Sequence, residues 1–241
     1  MQRNFSFSVD EYYHIYNRGT DKRIIFGNKN DYNRFMTLLY LCNNTMPIDI
    51  SNLIRGGLSF TELMDIKVNE KLVDIGAYCL MPNHFHLFVR EKRENGISLF
   101  MKKLLTAYSM YFNKKHKRTG GLFEGPFLAT HVDTDEYLKY MLSYIHLNPV
   151  KIIDSKWKEN GIMDRVKAKK YLSTYVYSSY LDYMNINRKE ERILNKVAFP
   201  EYFTNFQEFE HFISEWLSFS TKSKSPSLVK HPVKDSPPRG L

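Results

Sequence analysis

KLVDIGAYCLMPNHFHLFVR, residues 71–90, is the stretch on which the fold turns. Apolar and aromatic residues run up to Met81 and resume at Phe85, with a proline-asparagine break between them. The segment therefore reads as two strands folded back on each other at Met81-Pro82-Asn83. On a strand, residues i and i+2 share a face, so His84 and His86 project together while Phe85, Leu87 and Val89 project to the opposite, core-facing side. Two imidazoles side by side are a natural half of a metal site. Histidine pairs also serve structural roles, and no cysteine pair stands ready to complete a tetrahedral zinc set.

Working outward from that hairpin, apolar residues fall at positions 97, 100, 101, 104, 105, 108, 111 and 112, the stripe of an amphipathic helix whose exposed side carries Lys102 and Lys103. Phe127 to Val132 reads as a strand, and Asp133, Thr134 or Asp135 can cap a helix that runs from about Glu136 to a stop before Pro149. Towards the amino end, YYHIYNRG (12–19) reads as a strand leaving into a turn. Asp31 can cap a following helix built on Phe35, Leu38, Leu39 and Leu41 or Cys42. Residues 43–70 are irregular and read as an insertion with a short helix. The order strand, helix, strand, strand, helix, strand, helix predicts an α+β sandwich in which helices cover an antiparallel sheet.

The chain has 241 residues, 43% of them hydrophobic, which is enough for one sizeable core and excludes wholesale disorder, collagen-like sequence and coiled coil. No stretch approaches the roughly 18 apolar residues of a membrane span, and the amino end lacks the layout of a secretory signal, so a cytoplasmic protein with no membrane partner is expected. Cys42 and Cys79 lie in apolar strings and read as buried, reduced thiols. The net charge of +9 is unevenly placed: residues 1–89 contribute nothing, 90–118 contribute +7, 119–218 contribute −2 and 219–241 contribute +4. A concentrated basic block is the footprint of a polyanion binder, although a solvated helix face with a solubilising tail produces the same count. The tail 219–241, rich in proline, serine and lysine, is predicted to be flexible.

In EYLKYMLSYIHLNPV (136–150), Tyr137, Tyr140, Met141, Tyr144 and Asn148 share one helical face, and Tyr144 and Asn148 form an i, i+4 pair. A tyrosine-rich packing face is the plain alternative. Asparagine before proline is biased away from the α region, which leaves the conformation of residue 148 open.

MPNHFHLFVR, then KRTGGLFEGPF, then DEYLKYMLSYIHLNPVK, preceded by YYHIYNRGTDKRIIF, together resemble the REP-associated tyrosine transposases, of the single-tyrosine HUH transposase superfamily. The resemblance spans about residues 12–180, with 43–70 its looser part. It implies a ferredoxin-like antiparallel sheet with helices on one face, formed by residues 1–155, followed by a helical extension over 156–218. It further implies that His84, His86 and Asn148 bind a divalent cation, Mg²⁺ or Mn²⁺, and that Tyr144 is the nucleophile. The implied activity is a metal-dependent DNA transposase, an endonuclease and strand transferase that nicks and rejoins single-stranded, hairpin-bearing DNA through a 5′-phosphotyrosine. Exchanging one phosphodiester for another needs no ATP, consistent with a sequence that has no P-loop.

Under that reading the basic block would grip the strand. Arg90, Lys92, Arg93, Lys102, Lys103, Lys114, Lys115, Lys117 and Arg118 would contact phosphates, beside Tyr108, Tyr111 and Phe112, which read as core or base-stacking residues. His14, His131 and His146 match no ligand position and read as ordinary polar residues. Two alternatives remain open: a catalytically inactive DNA-binding regulator of repetitive palindromes on the same fold, and a replication-initiator-like nickase. Monomer and homodimer are equally compatible with the sequence.

Overall fold

The computed structural model describes residues 6–46, 48–157 and 161–218, so the basic tail predicted for 219–241 lies outside the described residues. Strands β1 (Tyr12–Arg18), β2 (Val73–Met81), β3 (His84–Glu91) and β4 (Leu128–Val132) form one sheet in the order β2-β3-β1-β4 with every pairing antiparallel. Helix α1 (Lys29–Leu41) joins β1 to β2 and α4 (Gly96–Lys115) joins β3 to β4, which completes the ferredoxin-like βαββαβ unit. The segment expected to be an insertion carries two short helices, α2 (Ile50–Arg55) and α3 (Phe60–Leu63).

Alternation decides which face each strand residue takes. Tyr13 and Ile15 of β1 join Phe85, Leu87 and Val89 of β3, and α1 and α4 close over them to make the largest core. Helix α1 is capped by Asn28, whose side chain accepts from the Asn30 and Asp31 amides. The expected cap, Asp31, is instead buried in the first turn, where its carboxylate accepts from the Gly27 amide (2.9 Å), the Tyr111 hydroxyl (2.8 Å) and Lys115 Nζ (2.5 Å). Burial alone would raise its pKa, but these donors outweigh it and hold the carboxyl below the usual range. Helix α4 is capped by the last residue of β3: buried Glu91 accepts from the Gly96 and Ile97 amides at 3.0 and 2.7 Å.

Helices on one face is the right description for α1 and α4, but the other face is not bare. Helix α5 (Asp135–Leu147), capped by the Thr134 side chain, lies over β2 and β3 and buries Tyr137, Leu138, Met141, Leu142, Tyr144 and Ile145 against Ala77, Cys79, Met81 and Phe88. Past α5, the chain runs through α6 (Val150–Ile153), α7 (Arg165–Leu172), α8 (Tyr180–Tyr183) and α9 (Phe206–Ser218). This extension is only partly helical. Residues 177–179 lie along the outer edge of β2, where the Leu80 amide donates to the Tyr177 carbonyl and the Ser179 amide to that of Tyr78, both at 3.0 Å. One sheet edge is thereby covered. Arg188 pins the cover, donating to the Asp182 carboxylate, the Val176 and Ser178 carbonyls and the Tyr78 hydroxyl.

Two consequences can be measured. At the β-bulge between Ile75 and Ala77, a Cβ on Gly76 would sit 2.7 Å from the Phe199 ring, so Gly76→Ala should lower stability by about 1–3 kcal/mol in urea titrations, partly relieved by Phe199→Leu. On the outer side of α5, His146 meets Ser179 Oγ at 2.8 Å and packs among Tyr180, Tyr183 and Phe209. Burial pushes its imidazole from 6.5 down to about 3. The folded state therefore binds fewer protons than the unfolded chain between those values. The stabilisation is complete above about pH 6.5 and is lost as pH falls toward 3. Urea midpoints measured across that window should fall more steeply for the parent than for His146→Gln.

Candidate active site

β1 and β3 pair so that Tyr16 lies opposite His86 and Arg18 opposite His84. Alternation then brings His14, Tyr16, His84 and His86 to one face, the face that α5 crosses. The His84 and His86 rings are 5.0 Å apart and perpendicular (89°). Each has a hydrogen-bonded Nδ1. For His84 the partner is Asn83 Oδ1 at 2.6 Å, and for His86 it is His14 Nε2 at 2.9 Å. Coordination of an ion would thus fall to Nε2 on both rings.

Tyr144 comes down onto this face from α5. Its ring stands edge-on to His86 at 5.4 Å and to His14 at 5.6 Å, and Tyr140 lies 5.9 Å away on the same helical face. Tyr144 is 3% exposed. Asn148 is in helical conformation (φ −52°, ψ −38°) despite the following proline, so the i, i+4 relation to Tyr144 holds. Its Nδ2 donates to the Tyr144 carbonyl at 2.9 Å, whereas its fully buried Oδ1 has no hydrogen-bond partner. An orphaned buried amide oxygen costs about 1–3 kcal/mol and suits an oxygen-seeking cation or its bound water. Among the described residues, no three His, Cys, Asp or Glu side chains cluster to hold a metal. The candidate donors are the two imidazole nitrogens on the sheet and this amide oxygen at the end of α5, nitrogen and oxygen types that a divalent cation accepts.

The basic residues expected to form one footprint are divided. Arg90 sits six residues along β3 from His84, about 20 Å away, paired with Asp10 and Asp74; Lys92 also approaches Asp74, and Arg93 pairs with Glu70. Lys102 is exposed on α4, and Lys103 donates to the Asn44 carbonyl. The carboxyl end of α4 lies at the His84 end of the sheet. The Tyr108 hydroxyl there reaches the Ile25 carbonyl at 2.5 Å, and the Ile25 amide reaches the Pro82 carbonyl of the hairpin turn at 2.8 Å. Lys114 and Lys117 are exposed there, Lys115 is tied to Asp31, and Arg118 bonds Asn113 Oδ1 at 2.6 Å and the Gly121 carbonyl at 2.9 Å. Tyr108 is buried and Tyr111 is partly buried on Asp31, so both are packing residues rather than stacking platforms. Burial drives the Tyr108 hydroxyl pKa far above its ordinary value.

Sequence reasoning missed His14, which the alternation of YYHIYNR places on the His86 face once β1 and β3 are paired. It also missed the loop Arg18–Arg23. Asn83 Nδ2 donates to the Lys22 carbonyl there, and Lys22 and Arg23 join Arg18 beside the hairpin turn. A segment-wide charge count hides them, because the acidic and basic side chains of residues 1–89 sum to zero; in the structure Arg18 pairs with Glu124 and Arg23 with Asp21.

Among the described residues, no helix is long and apolar enough to cross a membrane. No curated protein gives a significant match. Among solved structures, that of a REP-associated tyrosine transposase bound to a REP hairpin is similar, with 10% identity, 79% of this chain and 90% of the other covered, and a TM-score of 0.47. Residues 56–148 match the family model described as "Transposase IS200 like". That match begins ahead of β2, takes in the hairpin, α4, β4 and α5, and ends on Asn148, so over those residues the chain is similar to the IS200-like transposases.

Proposed function

We propose that the protein is a metal-dependent transposase that nicks and rejoins single-stranded DNA, with Tyr144 as nucleophile and His84, His86 and Asn148 as cation ligands. The observation that carries this reading is the placement of the Tyr144 ring edge-on against His86, at 5.4 Å, within the segment matched to the family. Bound there, Mg²⁺ or Mn²⁺ would withdraw charge from the scissile phosphate. Tyr144 Oη attacks phosphorus, the bond from phosphorus to the 3′ oxygen breaks, and that oxygen leaves as a 3′-OH once protonated. The DNA is left joined to the enzyme through a 5′-phosphotyrosine. A free 3′-OH reverses the exchange, so the energy of the broken phosphodiester is kept for rejoining.

Among the expected phosphate contacts, Lys114, Lys117 and Arg118 are those grouped at the His84 end; the exposed loop cation Lys22 joins them, with Arg18 and Arg23 beside it paired to Glu124 and Asp21. Arg90, Lys92 and Arg93 are at the opposite end and already face carboxylates. A second reading, a DNA-binding regulator without catalysis, is favoured by one fact: at 3% exposure, Tyr144 meets no phosphate until something over it moves.

Incubation of parent and Tyr144→Phe proteins with hairpin-bearing single strands in Mg²⁺ or Mn²⁺ separates the two readings. The parent should form a denaturant-resistant adduct and the variant none, while both bind the hairpin. A parent that binds but forms no adduct establishes the regulator instead. Salt titrations test the electrostatics. Replacing Lys114, Lys117 and Arg118 by Gln should weaken binding and flatten the log–log slope by about 2, following the single-strand dependence of about −0.7 per phosphate contact. The same change at Arg90, Lys92 and Arg93 should leave the slope nearly unaltered.

A further inference from the structure

A buried pair of imidazoles sharing one hydrogen bond has a single proton between the two nitrogens, and its position decides what the outer ring can do. His14 Nε2 and His86 Nδ1 are 2.9 Å apart, His14 is fully buried and His86 is 3% exposed. The pair is boxed in. Tyr16 stacks on His14 at 5.0 Å and 21°, and the Tyr144 ring closes edge-on over both imidazoles. With water excluded, the hydrogen bond is strong and its direction is not averaged by solvent.

Two arrangements exist. If His14 donates, His86 accepts at Nδ1, and a neutral His86 must then carry its proton on Nε2, where it can donate but cannot coordinate. If His86 donates, its Nε2 presents a lone pair, and His14 keeps its own proton on Nδ1. The neighbouring imidazole, His84, has the second arrangement. Asn83 Nδ2 is committed as a donor to the Lys22 carbonyl at 3.2 Å, which turns Asn83 Oδ1 toward His84. A carbonyl oxygen only accepts, so His84 Nδ1 bears a proton, and in the neutral ring the lone pair is on Nε2.

We infer that His14 is the matching positioning residue for His86: it accepts the Nδ1 proton, and so fixes the tautomer and the ring orientation in which Nε2 serves as the ligand atom. This inference rests on the proposed cation site for its purpose, but its test does not. The pairing comes from strand register, since His14 is the diagonal neighbour of His86 across β1 and β3 and lies directly opposite Phe88.

The experiment uses the full chain, ¹⁵N-labelled and metal-free. Long-range ¹H–¹⁵N correlation spectra should show His86 as the Nδ1–H tautomer; an Nε2–H tautomer overturns the inference whether or not metal binds. Mn²⁺ titration followed by electron paramagnetic resonance then measures the consequence. His14→Phe, which keeps a flat ring and loses the acceptor, should weaken Mn²⁺ binding by about 10- to 100-fold, and His14→Gln, whose amide oxygen can accept in place of Nε2, should recover most of it. Equal affinity in parent and His14→Phe would refute the positioning role. A parent that binds no Mn²⁺ would sink the proposed metal site instead, and the tautomer would still decide the role of His14.

Discussion

The antiparallel pairing of β1 with β3 is the constraint from which the rest follows. These are the two inner strands of a four-stranded sheet, and their register sets Tyr16 against His86 and Ile15 against Leu87. One face must be apolar to hold α1 and α4, so alternation forces the polar and aromatic residues Tyr12, His14, Tyr16, His84 and His86 onto the other. A slip of β1 by one residue would exchange its faces, burying His14 and Tyr16 under α1 and α4 and driving Ile15 out under α5. The energetics of the larger core therefore protect the geometry of the site.

The sheet could hold two histidines without holding them in useful orientations, and here the surrounding loops contribute. Pro82 and Asn83 make the turn that starts β3, and the chain beyond β1 is fastened to that turn through the Gly19, Ile25 and Phe26 amides. The same fastening presents the Lys22 carbonyl to Asn83, and so orients the amide that orients His84. His86 obtains its partner from β1 itself. Both imidazoles are thus held by backbone-anchored groups, the condition under which a site keeps its shape before substrate arrives.

How much of this was legible in the sequence depended on whether a property is local. The hairpin at Met81-Pro82-Asn83, the stripe of α4 and the shared face of Tyr144 and Asn148 are periodicities within one segment, and the structure has them. The cap of α1 was misassigned to Asp31 because both Asn28 and Asp31 are competent caps, and only the tertiary approach of Tyr111 and Lys115 gives Asp31 its other task. His14 could not be linked to His86 without the register of strands 72 residues apart. The +7 of residues 90–118 read as one footprint because a linear count ignores that β3 and α4 run in opposite directions, which sends Arg90 and Lys117 to opposite ends of the sheet.

Helix α5 joins the site to the part of the chain that carries no recognised motif. Its inner face sets Tyr144 over the imidazoles, and its outer face, through His146 and Leu147, enters a third core with Tyr180, Phe209 and Ile213. The helix is clamped between sheet and extension, and Trp216 of α9 packs 5.6 Å from Tyr140, the neighbour of Tyr144. Residues 177–179 meanwhile seal β2, the strand on which Ala77, Cys79 and Met81 support α5 from below. The position of Tyr144 is therefore set by packing on both sides of one helix. A motif confined to residues 56–148 describes the inner side alone, and the extension supplies the other half of the clamp.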